Sequence, residues 1–205
     1  MEVEKLIKER RSAKSFIAEE KIGRNQLDEI FELTRYAPSC FNLQHTKYIV
    51  IMDPDKKEQL REVAFKQYKI HTASAAILVL GNKEEYLNAE NLYEGMLNLN
   101  ILNKQEYDMM ISSIHGLYDS RGDGFKNEEA IRNACLSAMT FMYAAKEKGW
   151  DTCPMIGFDP EAVKSLFNVP DNLVPVLLIT IGKADISKQG IRGYRKTLDE
   201  FVQYI

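Results

Sequence analysis

Ala75-Ala-Ile-Leu-Val-Leu80 and Val174-Pro-Val-Leu-Leu-Ile-Thr-Ile181 are apolar runs of strand length that lack the in-out alternation of a half-exposed strand. Strands of this kind are covered on both faces, so helices are expected on each side of a sheet. A third β-rich run, Tyr48 to Met52, closes on Asp53-Pro54. The intervening segments supply the helices. Val3 to Arg10 places Val3, Leu6 and Ile7 on one face, and Asn25 reads as the N-cap of a helix carrying Leu27, Ile30, Phe31 and Leu33 that ends before Ala37-Pro38. Asp55 to Tyr68 and Pro160 to Phe167 are helical, Glu84 to Tyr118 is mostly polar helix, and the turn Ser120 to Gly124 breaks it. Asn127 to Lys148 is one long helix. Ile131, Ala134, Cys135, Ala138, Met139, Phe141, Met142 and Ala145 give it an apolar surface wide enough to be almost wholly buried, with Gly149 as its C′ residue. Gly149 to Gly157 reads as a long connection, and Thr197 to Tyr204 as a terminal amphipathic stretch. The result is a three-layer arrangement with more helix than strand.

The 205 residues suffice for one sizeable domain, and no repeat, low-complexity tract or linker divides them. With 45% hydrophobic and 28% charged residues the chain is globular, and its net charge of −3 disfavours coating nucleic acid or an anionic membrane. No apolar run approaches the roughly 20 residues of a membrane span. The start, Met1-Glu-Val-Glu-Lys5, has no signal region, so a cytoplasmic location is expected. Cys40, Cys135 and Cys153 are widely spaced and read as free thiols. His45, His71 and His115 show no metal-ligand spacing. The turn Met52-Asp-Pro-Asp55 lacks the glycines of a dinucleotide fold, and no phosphate-loop motif occurs. Any bound phosphate must therefore be held by side chains.

Three stretches carry groups suited to such a ligand. Arg10, Arg11, Ser12 and Lys14 combine guanidinium forks, a point charge and a hydroxyl, as a dianionic phosphate requires; a solvated charge run is the alternative. The loop Ala37-Pro-Ser-Cys-Phe-Asn-Leu-Gln44 offers hydroxyl and amide groups that pair with a heterocycle, or form an ordinary Asx/Ser turn. Gly149-Trp-Asp-Thr-Cys-Pro-Met-Ile-Gly157 can present backbone N–H groups to a developing anion. Arg192-Gly-Tyr-Arg-Lys196 is a second basic cluster, able to complete a phosphate site or to face water.

Taken in order, Arg10-Arg-Ser-Ala-Lys-Ser-Phe16, Ala37 to Gln44, Gly149 to Gly157, the strand Val174 to Lys183 after Asn168-Val-Pro170, and Tyr194-Arg195 resemble the nitroreductase family of FMN-dependent oxidoreductases. The likeness covers essentially the whole chain. It implies a single domain, residues 1–205, with an α+β, three-layer α/β/α sandwich fold, in an intimate homodimer with two FMN sites at the subunit interface. Arg10, Arg11, Ser12 and Lys14 would hold the FMN phosphate, ribityl and ring edge, with Arg195 also on the phosphate. Pro38, Ser39, Cys40, Asn42 and Gln44 would touch flavin largely from the partner subunit, and Lys66 and Gln67 would lie at the ring edge. Pro154, Met155, Ile156 and Gly157 would run along the ring, with the backbone N–H groups of the last two near N5.

The implied activity is NAD(P)H-dependent reduction of nitroaromatics, quinones or related small-molecule acceptors by ping-pong hydride transfer, with no catalytic side chain and no metal. Family members with other flavin chemistry, such as reductive dehalogenases and oxidases, and a non-catalytic FMN-binding protein are the alternatives. Three positions depart from the family pattern. His45-Thr46 replaces a frequent Pro-Trp, Lys66 stands where Asn is common, and Ile156 where some relatives have an acidic residue or Gly.

Overall fold

A computed structural model describes residues 2–205. The elements follow in the order α1 (Val3–Glu9), α2 (Arg24–Thr34), β1 (Thr46–Ile51), α3 (Pro54–Val63), α4 (Tyr68–Thr72), β2 (Ala75–Asn82), α5 (Ala89–Asn98), α6 (Lys104–Glu147), β3 (Asp151–Met155), α7 (Pro160–Phe167) and β4 (Leu173–Gly182). The four strands form one antiparallel sheet in the order β1-β2-β4-β3. Its central strands explain the unbroken apolar runs. Ala75, Ile77 and Val79 point into a core with Leu27 and Ile30 of α2 and Ala134, Ala138 and Phe141 of α6. Ala76, Leu78 and Leu80 point the other way, onto Leu60, Ile70 and Val163 of α3, α4 and α7. Period-two side-chain alternation thus feeds two cores, and the sandwich has three layers. A smaller cluster, Leu43, Tyr86, Ala89, Ile114 and Tyr118, ties the helical excursion after β2 to the loop before β1. No helix among the described residues is long and apolar enough to cross a membrane.

Several expectations need correction. The segment 149–157 holds a strand, β3, which pairs with β4 from Asp151↔Gly182 to Met155↔Leu178. It is an edge strand, which is why it can contain Pro154, a residue with no N–H to give to a ladder. The helix expected over Asp55 to Tyr68 stops at Val63, because Phe65 and Lys66 both adopt left-handed backbone (φ 52° and 55°) before α4 begins. The Glu84 to Tyr118 helix is split by Leu99–Asn103, where Asn100 is left-handed and Asn103 caps α6 in a reciprocal pairing with Glu106. The break expected at Ser120–Gly124 shrinks to a kink at Gly122. Asn25 is not the N-cap of α2; Gly23 is. The terminal stretch forms only a short 3₁₀ turn, Leu198–Glu200.

Gly149 behaves as expected. At φ 78° its N–H bonds to Lys146 O (3.0 Å) while Trp150 N–H bonds to Ala145 O (2.8 Å), closing α6 as a Schellman motif. Two apolar stripes are less buried than their patterns imply. Nothing in α1 is buried, and Val3 and Ile7 are 69% and 50% exposed. The α6 stripe buries Ala134, Ala138, Phe141, Met142 and Ala145 but leaves Ile131 and Cys135 exposed, and Leu136 beside them is exposed too. A single chain does not cover these faces.

Candidate functional site

The basic segment leaves α1 at its C-cap, Arg10, and runs along the outer edge of β3. Ser12 forms a parallel bridge with Thr152, and Ala13 N–H donates to Thr152 O (3.0 Å). The chain beyond β4 crosses over it. Gln189 accepts from Lys14 N–H (3.4 Å) and donates to Ser12 O (3.2 Å), Arg11 donates to Gly190 O, and Arg192 donates to Lys8 O and to Arg10 O (3.1 Å). The two ends of the polypeptide therefore meet, and Arg10, Arg11, Lys14 and Arg192 gather at the crossing. Among the described residues none of the four has a carboxylate within 4.0 Å; Glu9, the nearest acid in sequence, faces Lys5. Arg10 is half-buried, and its Nη1 is buried without any hydrogen-bond partner. A buried guanidinium N–H without an acceptor costs the desolvation it suffered, so the place is built for an acceptor brought from outside. Arg195 is exposed and donates only to Gly193 O and Tyr194 O of its own segment.

Further along the same edge lies the second cluster. Gln67 donates through Nε2 to Gly157 O (3.3 Å), and Asp159 N–H donates to Val63 O (2.9 Å), which fastens the end of β3 to the α3–α4 connection. A Cβ on Gly157 would stand 2.5 Å from Gln67 Nε2, so glycine allows this approach. Phe65, Tyr68 and Ile156 are exposed here, forming an apolar rim, and Lys66 extends outward toward Glu62. Pro154 is half-buried and Met155 buried as members of β3. Lys69, which belongs to no motif, reaches from α4 to Cys153 Sγ (3.3 Å). From Thr152 to Gly157 the extended chain spans about 17 Å, with cations at one end and amide, backbone and apolar groups at the other.

The loop from Pro38 to Gln44 is placed elsewhere. It leads into β1, at the sheet edge opposite β3 and three strand spacings away, about 14 Å. Within one chain it is therefore not brought to the Arg10 and Gly157 clusters. Phe41, Asn42 and Gln44 are all left-handed (φ 49°, 50° and 58°). Cys40 N–H donates to Asn133 Oδ1 (2.7 Å), Gln44 N–H to Ser39 Oγ (2.9 Å), and Tyr93 O–H to Phe41 O (2.8 Å). The Pro38, Asn42 and Gln44 side chains stay exposed. A cavity of about 360 Å³ opens beside them, lined by Ser39, Gln44, Tyr48, Asn133 and Ser137 among others.

Beneath the loop runs a buried polar chain. His45 is fully buried, its Nε2 sits 2.8 Å from Tyr118 Oη, and its Nδ1 has no partner. Tyr118 and Glu129 both lie close enough to act on the Cys40 thiol. Burial pushes the Cys40 thiol up, and the nearby Glu129 charge pushes it the same way, so Cys40 is protonated and no nucleophile. Burial also pushes Tyr118 up and holds His45 below its usual value, so both are neutral. Burial works against ionisation of Glu129, but Arg132, Cys40 and Asn133 outweigh it and hold the carboxyl below its ordinary range. A bare buried acceptor is cheaper than an orphaned N–H, which assigns the proton of His45 to Nε2. His45 then donates to Tyr118 Oη. The reading of the sequence noted His45 as a departure from the family pattern, but nothing local signals its burial.

A sequence model of the nitroreductase family matches residues 7–183. The inferred NAD(P)H nitroreductase MhqN of Bacillus subtilis is 54% identical over 200 residues, covering 98% of this chain and 97% of that protein. The crystal structure of ydfN, an inferred nitroreductase from Bacillus subtilis, superposes with a TM-score of 0.98 at 52% identity, covering 100% of this chain and 99% of that one. An inferred nitroreductase from Exiguobacterium sibiricum, solved in complex with FMN, gives a TM-score of 0.92 at 26% identity, with 100% and 98% of the two chains covered.

Proposed function

The chain belongs to the nitroreductase family, and from that premise we propose that it is an FMN-dependent oxidoreductase that uses NAD(P)H to reduce nitroaromatics, quinones or related small acceptors. The observation that carries the proposal is the buried, unpartnered Nη1 of Arg10, set among Arg11, Lys14 and Arg192 with no carboxylate within 4.0 Å of them among the described residues. That donor set fits a terminal phosphate, where bidentate guanidinium bonds and a lysine point charge offset two negative charges. Ser12 adds a neutral hydroxyl, exposed on the same edge. Gln67 would offer its amide to the ring edge, and Pro154 to Gly157 would line the ring, with the backbone N–H groups of Ile156 and Gly157 available to it. The chemistry supplied by bound FMN is acceptance of a hydride equivalent from NAD(P)H and its delivery to the acceptor.

The side chains bind and orient. Phe65, Tyr68 and Ile156 supply an apolar rim that excludes water from the reacting face. No acid, base or nucleophile is required, and the protonated Cys40 offers none. The position of Pro38, Ser39, Cys40, Asn42 and Gln44 at the opposite sheet edge supports a homodimer in which this loop of one protomer meets the flavin held by the other. The exposed apolar stripes of α1 and α6 support the same assembly.

The test is the visible spectrum of the purified protein before and after NADH and NADPH. A yellow protein bleached by one nicotinamide and recoloured by nitrofurazone or menadione is expected. Recolouring by a halogenated phenol instead would move the protein to dehalogenase chemistry, and recolouring by air alone to an oxidase or flavin carrier. Colourless protein that FMN does not reconstitute would overturn the proposal.

A further inference from the structure

The helical excursion between β2 and the second half of α6 touches the Cys40–Gln44 loop from beneath. The backbone of that loop needs explaining. Phe41, Asn42 and Gln44 all hold left-handed backbone, a conformation that only Asn among them tolerates readily. The exposed Asn42 and Gln44 side chains make few bonds of their own, the one between them being Gln44 Nε2 to Asn42 O at 3.2 Å. Besides the loop's own bonds, such as Gln44 N–H to Ser39 Oγ (2.9 Å), groups from outside fix its backbone. Tyr93 of α5 donates to Phe41 O (2.8 Å), Asn133 of α6 accepts from Cys40 N–H (2.7 Å), and Tyr118 of α6 pairs with the buried His45 that ends the loop (2.8 Å).

The bracing side chains are themselves locked. Asn133 Nδ2 donates to Glu129 O (2.7 Å), and this fixes which end of its amide faces Cys40. The Tyr118 ring stacks on Tyr86 at 4.6 Å and meets the edge of Phe125 at 5.3 Å. Such locking is what a pre-organised binding loop needs, since a strained backbone persists only where its surroundings over-determine it.

We infer that Tyr93, Tyr118 and Asn133 are positioning residues that hold the Cys40–Gln44 loop in its left-handed form, so that the helical excursion sets the surface this loop turns toward flavin. The inference rests on the proposed FMN function and assigns a role to a segment that no binding motif marks. None of the three residues contacts the flavin in this scheme; each acts through the loop.

Tyr93→Phe and Tyr118→Phe remove one hydroxyl and keep the ring. Two readouts are taken on the full-length protein: amide hydrogen exchange of residues 40–44 without FMN, and FMN affinity by fluorescence titration. In Tyr93→Phe, exchange at 40–44 is expected to quicken while the rest of the protein is unchanged. The FMN Kd is expected to rise about fivefold, the worth of one neutral hydrogen bond. Tyr118→Phe should show the same local pattern even if its melting temperature falls. Wild-type exchange at 40–44 in both variants overturns the inference. So does faster exchange with an unaltered FMN Kd, the mark of a merely structural role. If wild-type protein binds no FMN the cofactor reading fails first, and the exchange data still decide whether the tyrosines hold the loop.

Discussion

Arg10 shows how a residue can be legible in type and not in circumstance. Its place in a run of cations could be read from the sequence, but its half-burial depends on the chain end that folds over it, 182 residues later. Arg10→Ala should raise the FMN Kd about tenfold to a hundredfold, since a charged hydrogen bond is worth about 1.5–3 kcal/mol. The melting temperature of the FMN-free protein should not fall, because the substitution removes an unsatisfied buried donor; a titration and a melting curve check both. His45 is a second case, and here the pH dependence follows from burial. Its folded-state value lies below that of the unfolded chain, so the unfolded state takes up a proton first as pH drops. Stability is therefore full above about pH 6.5 and declines as pH falls toward the folded value. Urea midpoints at pH 7.5 and 5.5 should diverge in wild type and diverge less in His45→Gln.

Elements with strong patterns were readable, and those defined by tertiary context were not. Runs such as Ala75 to Leu80 announce a covered strand because each residue meets one of two cores. Strand β3 announces nothing, since Asp151-Thr-Cys-Pro-Met155 is short, contains proline and exists by pairing with β4 and, at Thr152, with the Ser12 segment. The interruption of α3 is also silent, because Phe65 and Lys66 are ordinary helix residues forced into left-handed backbone where the α3–α4 connection meets Gly157. At the end of α6 the opposite holds, and Gly149 could be identified directly. Gly149→Ala should destabilise the protein by about 1–2 kcal/mol, the cost of placing a Cβ in left-handed backbone, without altering FMN affinity. Chemical denaturation against a titration tests this.

At the scale of the molecule, the sandwich follows from the strands, but the extent of burial expected for α1 and α6 does not hold for one chain. Val3, Ile7, Ile131 and Leu136 keep apolar surface in contact with solvent, a pattern that marks an interaction face when contiguous. Leu136→Glu should yield a monomer by light scattering, and that monomer should elute without FMN. Retention of a coloured dimer would remove α6 from the interface. The separation of the Arg10 cluster, proposed to hold phosphate, and the Pro38–Gln44 loop onto opposite borders of one sheet has a thermodynamic corollary. If each flavin is gripped by two polypeptides, prosthetic group and subunit pairing are linked by mass action, and each must tighten the other. Dilution should then bleach the protein well before it unfolds, at a midpoint that moves to lower protein concentration as free FMN is added.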